Sequence, residues 1–144
     1  MSLAGVEAFL ASFARAWNAF DIDAMVAHFA LPQIIASEGQ TSFLETEDEV
    51  RANLDQLFDL YDSHDVAGAV MIDFTVEPLP DAAARARVHW HLTGDTGAIL
   101  LDFHTDYTIV ADDDGILAIV AIEADEEVAA WKAAGWRFGG GSPD

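Results

Sequence analysis

The spacing of apolar residues changes once along this chain, and that change constrains the fold more than any other feature. Over the first sixty residues, large apolar side chains recur every three or four positions, as they do on one face of a helix. From residue 67 onward they recur at every second position, as they do on one face of a β-strand. The pattern predicts helices in the first part of the chain and a sheet in the second.

Three helices are predicted in the first part. The first has an apolar stripe that runs from Val6 to Phe20. Asp21 is the predicted N-cap of a short second helix, whose apolar face continues to Phe29 and which Pro32 ends. After a short predicted strand and a polar loop, the third helix begins at a capping box. The strand, the capping box and the buried helix face are Gln33–Ser37, Thr46–Glu49 and Val50–Tyr61.

The alternating part predicts four strands that follow one another through short turns. In the first of them Val70, Ile72, Phe74 and Val76 form the predicted apolar face. The remaining strands, the two turns rich in glycine and aspartate, and a final short helix capped by Asp125 and ended at Gly135 follow in order: 84–92, Gly94–Gly97, 99–109, Asp112–Gly115, 116–122 and 125–135.

This order of elements predicts an α+β domain, in which three N-terminal helices pack on one face of a curved antiparallel sheet and a short helix closes the chain. We expect one domain over residues 1–138. The ending GGGSPD predicts a flexible tail over residues 139–144.

The charge of the chain limits the class of partner. With 26 acidic and 6 basic residues, the formal net charge is −20. Affinity for nucleic acid and for anionic membranes depends on lysine and arginine, so we expect neither as a partner. The chain has no cysteine, no apolar run long enough to cross a membrane and no recognisable signal peptide, which predicts a cytoplasmic protein.

Two stretches carry a resemblance to a known fold family. The opening FARAWNAFDIDAMVAHFA and the last hairpin DDDGILAIVAIEAD resemble the NTF2-like superfamily, which includes SnoaL-like cyclases and ketosteroid isomerases. The resemblance covers nearly the whole chain. It implies a cone-shaped domain with an apolar pocket for a small molecule, and a homodimer formed through the outer face of the sheet.

The catalytic residues of the ketosteroid isomerases are altered at the matching positions. Phe13 falls where that family has a hydrogen-bonding tyrosine, and Ser37 where it has the aspartate base. Tyr107 falls at the second oxyanion donor and keeps a donor group, while Glu38 is the carboxylate adjacent to the base position. The resemblance therefore does not imply steroid isomerase activity.

Three histidines and several aspartates surround the turn between the second and third predicted strands. If that turn is Gly94–Gly97, Val88 lies opposite Phe103, and the same register sets these pairs: His89 with Asp102, Arg87 with His104, and Arg85 with Asp106. Because the large apolar residues must face the helices, the histidines and aspartates are predicted to face outward. A single β-bulge would reverse this.

A metal site is the alternative interpretation of the same cluster. His-x-His on one strand with aspartate or histidine on the next has the donors that zinc, iron or manganese use. Arg85 and Arg87 would compete with a cation for the carboxylates, so we expect no metal and no cofactor.

The inner face is the predicted site. The expected pocket residues are Phe13, Trp17, Ser37, Trp90, Phe103, Thr105 and Tyr107. The candidate catalytic residues are His28 or Glu38 as a general base and Tyr107 as a hydrogen-bond donor.

Three functions remain open at this point. The first is binding of a small apolar or weakly polar molecule without catalysis. The second is metal-free proton transfer in an isomerase, cyclase or dehydratase of the SnoaL-like type, and the third is a structural dimerisation module whose cone is filled by side chains.

Overall fold

The computed structural model describes residues 1–136. The elements, in chain order, are α1 (Leu3–Asn18), α2 (Ile22–Val26), β1 (Phe29–Ser37), β2 (Gln40–Leu44), α3 (Glu47–Ser63), β3 (Gly68–Leu79), β4 (Ala83–Thr93), β5 (Ile99–Ala111), β6 (Leu117–Glu123) and α4 (Asp125–Ala133). The predicted tail, residues 139–144, and the predicted end of the domain at residue 138 lie outside the described residues.

The six strands form one curved sheet in the order β2-β1-β6-β5-β4-β3. The α+β fold predicted from the sequence is confirmed. The predicted sheet is antiparallel throughout, but in the structure the neighbouring strands β1 and β6 run parallel. The chain between these two strands is long enough to return in either direction, whereas the strands joined by short turns must be antiparallel.

The predicted starts of the second and third helices are confirmed, but the second helix is shorter than predicted. The side chain of Asp21 accepts a hydrogen bond from Ala24 N at 3.1 Å, and that of Thr46 caps α3 in the same way. Phe29 begins β1, and Pro32 lies inside this strand instead of ending a helix. The pairing of β1 with β6 is interrupted between Phe29 and Ile34, where Pro32 has no N–H to donate.

The predicted polar loop after residue 37 is wrong, since β1 and β2 form a hairpin there. The two residues of its turn, Glu38 and Gly39, have φ angles of 49° and 78°. Positive φ at both positions is typical of the two-residue turns that match strand twist. Glutamate is uncommon there, so the sequence carries a weaker turn signal than Asn-Gly would.

The predicted apolar inner face of β3 is wrong for the first half of the strand. Val70 and Ile72 are 42% and 45% exposed. A bulge at Ile72 separates the Met71–Trp90 pair from the Asp73–His89 pair, so the side chains change faces at this point.

The β4–β5 hairpin has the predicted faces but a register two residues away from the predicted one. Val88 pairs with Thr105 and Trp90 with Phe103. The loop is one residue longer than predicted, with Gly94 N donating to Ala98 O, and a bulge follows near Leu100. The extra loop residue and the bulged residue together shift the register by two, so each side chain keeps its predicted face.

The core lies between the inner face of the sheet and helices α1 and α3. Helix α4 covers the part of β5 that β6 leaves unpaired, since β6 pairs only from Asp106 onward. In this part of β5, the backbone N–H of His104 donates to Glu126 Oε1 of α4 at 3.1 Å. The predicted cap Asp125 is the first helical residue and accepts from Glu38 N, so Ala124 is the N-cap.

Candidate active site

A cavity of about 720 Å³ lies between the helices and the β1–β2 end of the sheet. All four helices or the segments next to them contribute to its wall, together with β1, β2, β5 and β6. The apolar lining residues are Phe13, Trp17, Met25, Phe29, Ile35, Leu44, Val50, Leu54, Leu57, Ile122, Ala124, Val128, Trp131, Gly135 and Trp136, and the polar ones are Gln33, Ser37, Ser42, Asn53, Thr105, Tyr107, Glu127 and Lys132. The volume suits a small organic molecule.

Four of the polar lining residues are buried: Gln33, Thr105, Tyr107 and Glu127. Gln33 Oε1 has no hydrogen-bond partner among residues 1–136. Thr105 Oγ1 makes no hydrogen bond of ordinary geometry in the same range. Its hydroxyl nevertheless lies close to that of Tyr107 and acts to lower the pKa of Tyr107. Buried polar groups normally have a hydrogen-bond partner, so these two oxygens suit a ligand that carries a polar group.

Within the described range, residues 1–136, Glu127 is the only carboxylate that lines this cavity. The residue is 5% exposed, and its Oε2 accepts hydrogen bonds from Tyr61 Oη at 2.5 Å and Trp131 Nε1 at 3.2 Å. Burial raises the pKa of Glu127 to about 7, against the two hydrogen bonds, which act to lower it. A carboxyl group in this state exchanges a proton readily near neutral pH.

Two buried phenols lie near this carboxyl group. Burial, and then the negative charge of Glu127, raise the pKa of Tyr61 and of Tyr107 well above the usual value, so both remain protonated. The oxygen of Tyr107 accepts from Trp90 Nε1 at 3.1 Å. The proton of Tyr107 is thus left for Thr105 or for an acceptor in the cavity.

The structure brings five of the seven predicted pocket residues to the cavity wall: Phe13, Trp17, Ser37, Thr105 and Tyr107. Trp90 and Phe103 are buried on the same face of the sheet but are not lining residues. Trp90 instead packs edge-on against Trp17, with ring centroids 4.4 Å apart, and holds Tyr107 through its indole.

The two predicted bases lie away from the cavity wall. The Nδ1 of His28 is 2.7 Å from Ala24 O, and its Nε2 is 2.9 Å from Ser12 Oγ. A carbonyl only accepts, so Nδ1 must carry the proton and both ring nitrogens are occupied. Glu38 is exposed in the β1–β2 turn and forms an ion pair with Lys132 at 2.5 Å.

The sequence reasoning missed Glu127, Gln33 and β2. A signal for Glu127 exists, because it precedes Trp131 by four residues and so shares the apolar face of the final helix. Gln33 alternates with Ile35 and Ser37, which likewise places all three on one face of β1.

A family model described as "NTF2-like protein (DUF6841)" matches residues 4–127. The chain belongs to this NTF2-like family. The matched range extends from α1 to Glu127 and includes 18 of the 23 residues that line the cavity. The predicted resemblance is thus confirmed at the level of the superfamily.

Solved structures share the NTF2-like fold at low sequence identity. ActVI-ORFA from Streptomyces coelicolor is 15% identical with a TM-score of 0.67, over 83% of this chain and 93% of that one. An NTF-2 like protein of unknown function from Shewanella oneidensis is 19% identical with a TM-score of 0.62, over 85% and 98%. A ketosteroid isomerase-like protein from Erwinia carotovora is 18% identical with a TM-score of 0.61, over 84% and 92%.

No curated protein sequence matches the chain. Among residues 1–136, no helix of this NTF2-like protein combines the length and apolar content needed to cross a membrane.

The outer face of the NTF2-like sheet carries the histidine cluster. The observed register places His91 opposite Asp102, His89 opposite His104, and Arg87 opposite Asp106, which corrects the predicted pairs. The arginines have other partners as well: Arg85 pairs with Glu123, and Arg87 with Glu126. Burial acts to raise the pKa of Glu126, but hydrogen bonds from His104 and Arg87 outweigh it and lower that pKa.

Proposed function

We propose that this protein binds a small, mainly apolar carbonyl compound in the cavity and moves a proton on it with Glu127. The observation that carries the proposal is a buried carboxyl group on the cavity wall with a pKa of about 7. General bases work best when their pKa lies near the pH at which they act, and no other lining residue in the described part of the chain offers a carboxylate.

The proposed step is the removal of a proton from a carbon adjacent to a carbonyl group. The C–H bond breaks and its proton passes to a carboxylate oxygen of Glu127. The electron pair of that bond forms a C=C bond to the carbonyl carbon, and the π pair of the carbonyl group moves onto its oxygen. A hydrogen bond from Tyr107 stabilises the resulting enolate. When the proton on Glu127 first exchanges with solvent deuterium, return of the deuteron to the same carbon gives the exchanged ketone. Return of a proton to a conjugated carbon gives isomerisation.

The test is hydrogen–deuterium exchange into a panel of small cyclic ketones, followed by NMR in D₂O. We expect the native protein to accelerate exchange, with a rate that rises with pH and levels off above about 7 as Glu127 ionises. The exchange rate catalysed by Glu127→Gln should be at least ~100-fold lower than that of the native protein. The matched control Glu123→Gln, an exposed carboxylate on β6, should retain it.

Exchange that survives in Glu127→Gln would contradict the proposal. Binding of the ketones with no exchange in the native protein would favour the second candidate, a protein that binds its ligand without catalysis. The mainly apolar lining supports that candidate, because Tyr61 and Trp131 already satisfy Glu127. A filled cone is not supported, since the cavity holds about 720 Å³.

A further inference from the structure

A second cluster of chemically competent side chains lies on the opposite face of the sheet from the cavity. His89 and His91 flank Trp90 on β4, and Trp90 is fully buried on the inner face. Alternation along the strand therefore directs both imidazoles outward. Asp102 lies beside them on β5, directly opposite His91.

These three side chains converge on one point. One ligand atom of each lies within 4.8 Å of the others. His91 Nε2 is 3.5 Å from Asp102 Oδ1, and His89 Nε2 also contacts this oxygen. Ligands of a tetrahedral zinc ion, at bond lengths near 2.0–2.1 Å, are roughly 3.3 Å apart, so small rotamer changes suffice to centre an ion between the three groups.

We propose that His89, His91 and Asp102 bind one transition-metal ion per chain, with Zn²⁺ as the best fit and water in the fourth position. Two imidazoles and one carboxylate are donors that zinc accepts. Calcium and magnesium prefer sites made only of oxygen ligands, so they compete poorly here.

The neighbouring cations do not block this position. Arg87 is engaged by Asp106 and Glu126, and Arg85 by Glu123 and Asp106. The expected competition of the arginines for carboxylates occurs at Asp106, which contacts both Arg85 and Arg87. The observed register places Arg87 opposite Asp106 and leaves Asp102 to the two histidines.

The first histidine has further neighbours besides Asp102. Asp73 Oδ2 lies 3.9 Å from His89 Nδ1, on the opposite side of the ring from Asp102. The ring of His104 stacks on that of His89 with centroids 4.5 Å apart, and Glu126 holds His104 Nδ1 at 3.2 Å. A carboxylate behind a ligating histidine is a common support in metal sites.

The site is also open to solvent. The side chain of Asp102 is 59% exposed and those of the two histidines about 20% exposed, so a hydrated ion can reach all three. Because the cavity lies on the other face of the sheet, the proposal stands or falls independently of the proposed proton transfer.

The test is calorimetric titration of the full chain, without an affinity tag, with Zn²⁺ in the presence of excess Mg²⁺. We expect one ion per chain. His91→Ala and Asp102→Asn should each weaken binding by more than ~10-fold, and His91→Cys should retain binding because thiolate is also a zinc ligand. His64→Ala, which removes a histidine at the end of α3, is the control and should bind as the native chain does.

Co²⁺ provides a second measurement, which reports the coordination geometry of the bound ion. Its visible absorption should report a site of low coordination number in the native chain and be lost in His91→Ala. The absence of stoichiometric binding would overturn the proposal. Binding that none of these substitutions alters would also overturn it, since the many exposed carboxylates would then account for the ions bound.

Discussion

Two adjacent glutamates on α4 show how strongly position determines chemistry at the scale of single residues. Glu126 points to the outer face, where hydrogen bonds from His104 and Arg87 keep its pKa low despite partial burial. Glu127 points into the cavity, where burial raises its pKa to about 7. The two side chains are identical, so the difference arises entirely from their surroundings.

Glu127 should make the stability of the fold depend on pH. Its pKa is higher in the folded chain, about 7, than the ordinary value of 4.5, so the folded state holds the proton more tightly. The free energy of unfolding should therefore fall as pH rises from 4.5 to about 7, relative to Glu127→Gln, by up to ~3 kcal/mol in total. Urea unfolding of both proteins across this range measures the difference. A difference that does not change with pH would contradict a raised pKa.

Tyr61 should set how far the pKa of Glu127 rises. Its hydrogen bond favours the ionised carboxylate, so Tyr61→Phe should raise the pKa of Glu127 above about 7. The rise of the exchange rate with pH should then move to higher pH. Phe58→Leu, a change at a partly buried neighbour on α3, is the control for altered packing. An unchanged pH profile in Tyr61→Phe would show that the phenol does not stabilise the carboxylate.

At the scale of elements, the alternation of residues predicted the faces of β4 and β5 correctly, whereas the register and the β3 face were not predictable. Each depends on a bulge, at Ile72 or near Leu100, and an inserted residue leaves no mark on composition. The β1–β2 hairpin was not predicted, because Glu-Gly is an uncommon residue pair in a two-residue turn. Glu127 was not predicted because a glutamate in the first turn of a helix is usually solvated, and only its spacing from Trp131 distinguishes it from Glu126 in the local sequence.

Helix α4 should depend on Glu126 for its position against the sheet. Glu126 accepts from the backbone N–H of His104, in the part of β5 that does not pair with β6, and pairs with Arg87. Glu126→Ala should reduce the free energy of unfolding by roughly 1–3 kcal/mol, because a backbone donor at the edge of β5 loses its partner. Thermal or urea unfolding measures this. Asp59→Ala, at an exposed carboxylate on α3, should change stability by less than ~0.5 kcal/mol, and an equal loss in both variants would contradict the assignment.

At the scale of the whole molecule, helix periodicity, strand alternation and two short stretches of sequence were enough to predict the NTF2-like fold. The cavity could be predicted only in part, since five of the expected residues line it and its titratable group does not come from the expected positions. Homodimerisation through the outer face stays a prediction, as does the cytoplasmic location.

The mouth of the cavity should be at β2. Ser42 is exposed and lines the cavity, so Ser42→Trp should obstruct entry and weaken binding of a neutral apolar fluorescent probe, with little change in Tm. Thr41→Trp, on the opposite face of the same strand, is the matched control and should bind the probe normally. Equal probe affinity in the two variants would show that ligands enter elsewhere.

The central claim is that the cavity holds a carboxyl group that titrates near neutral pH. The most direct measurement is the ¹³C NMR titration of the Glu127 carboxyl carbon, assigned by its absence in Glu127→Gln. The structure predicts a midpoint at about 7 for Glu127 and a midpoint below the ordinary value for Glu126. A Glu127 midpoint at the ordinary value of about 4.5 would contradict the account, because the group would then be as solvated as a surface carboxylate.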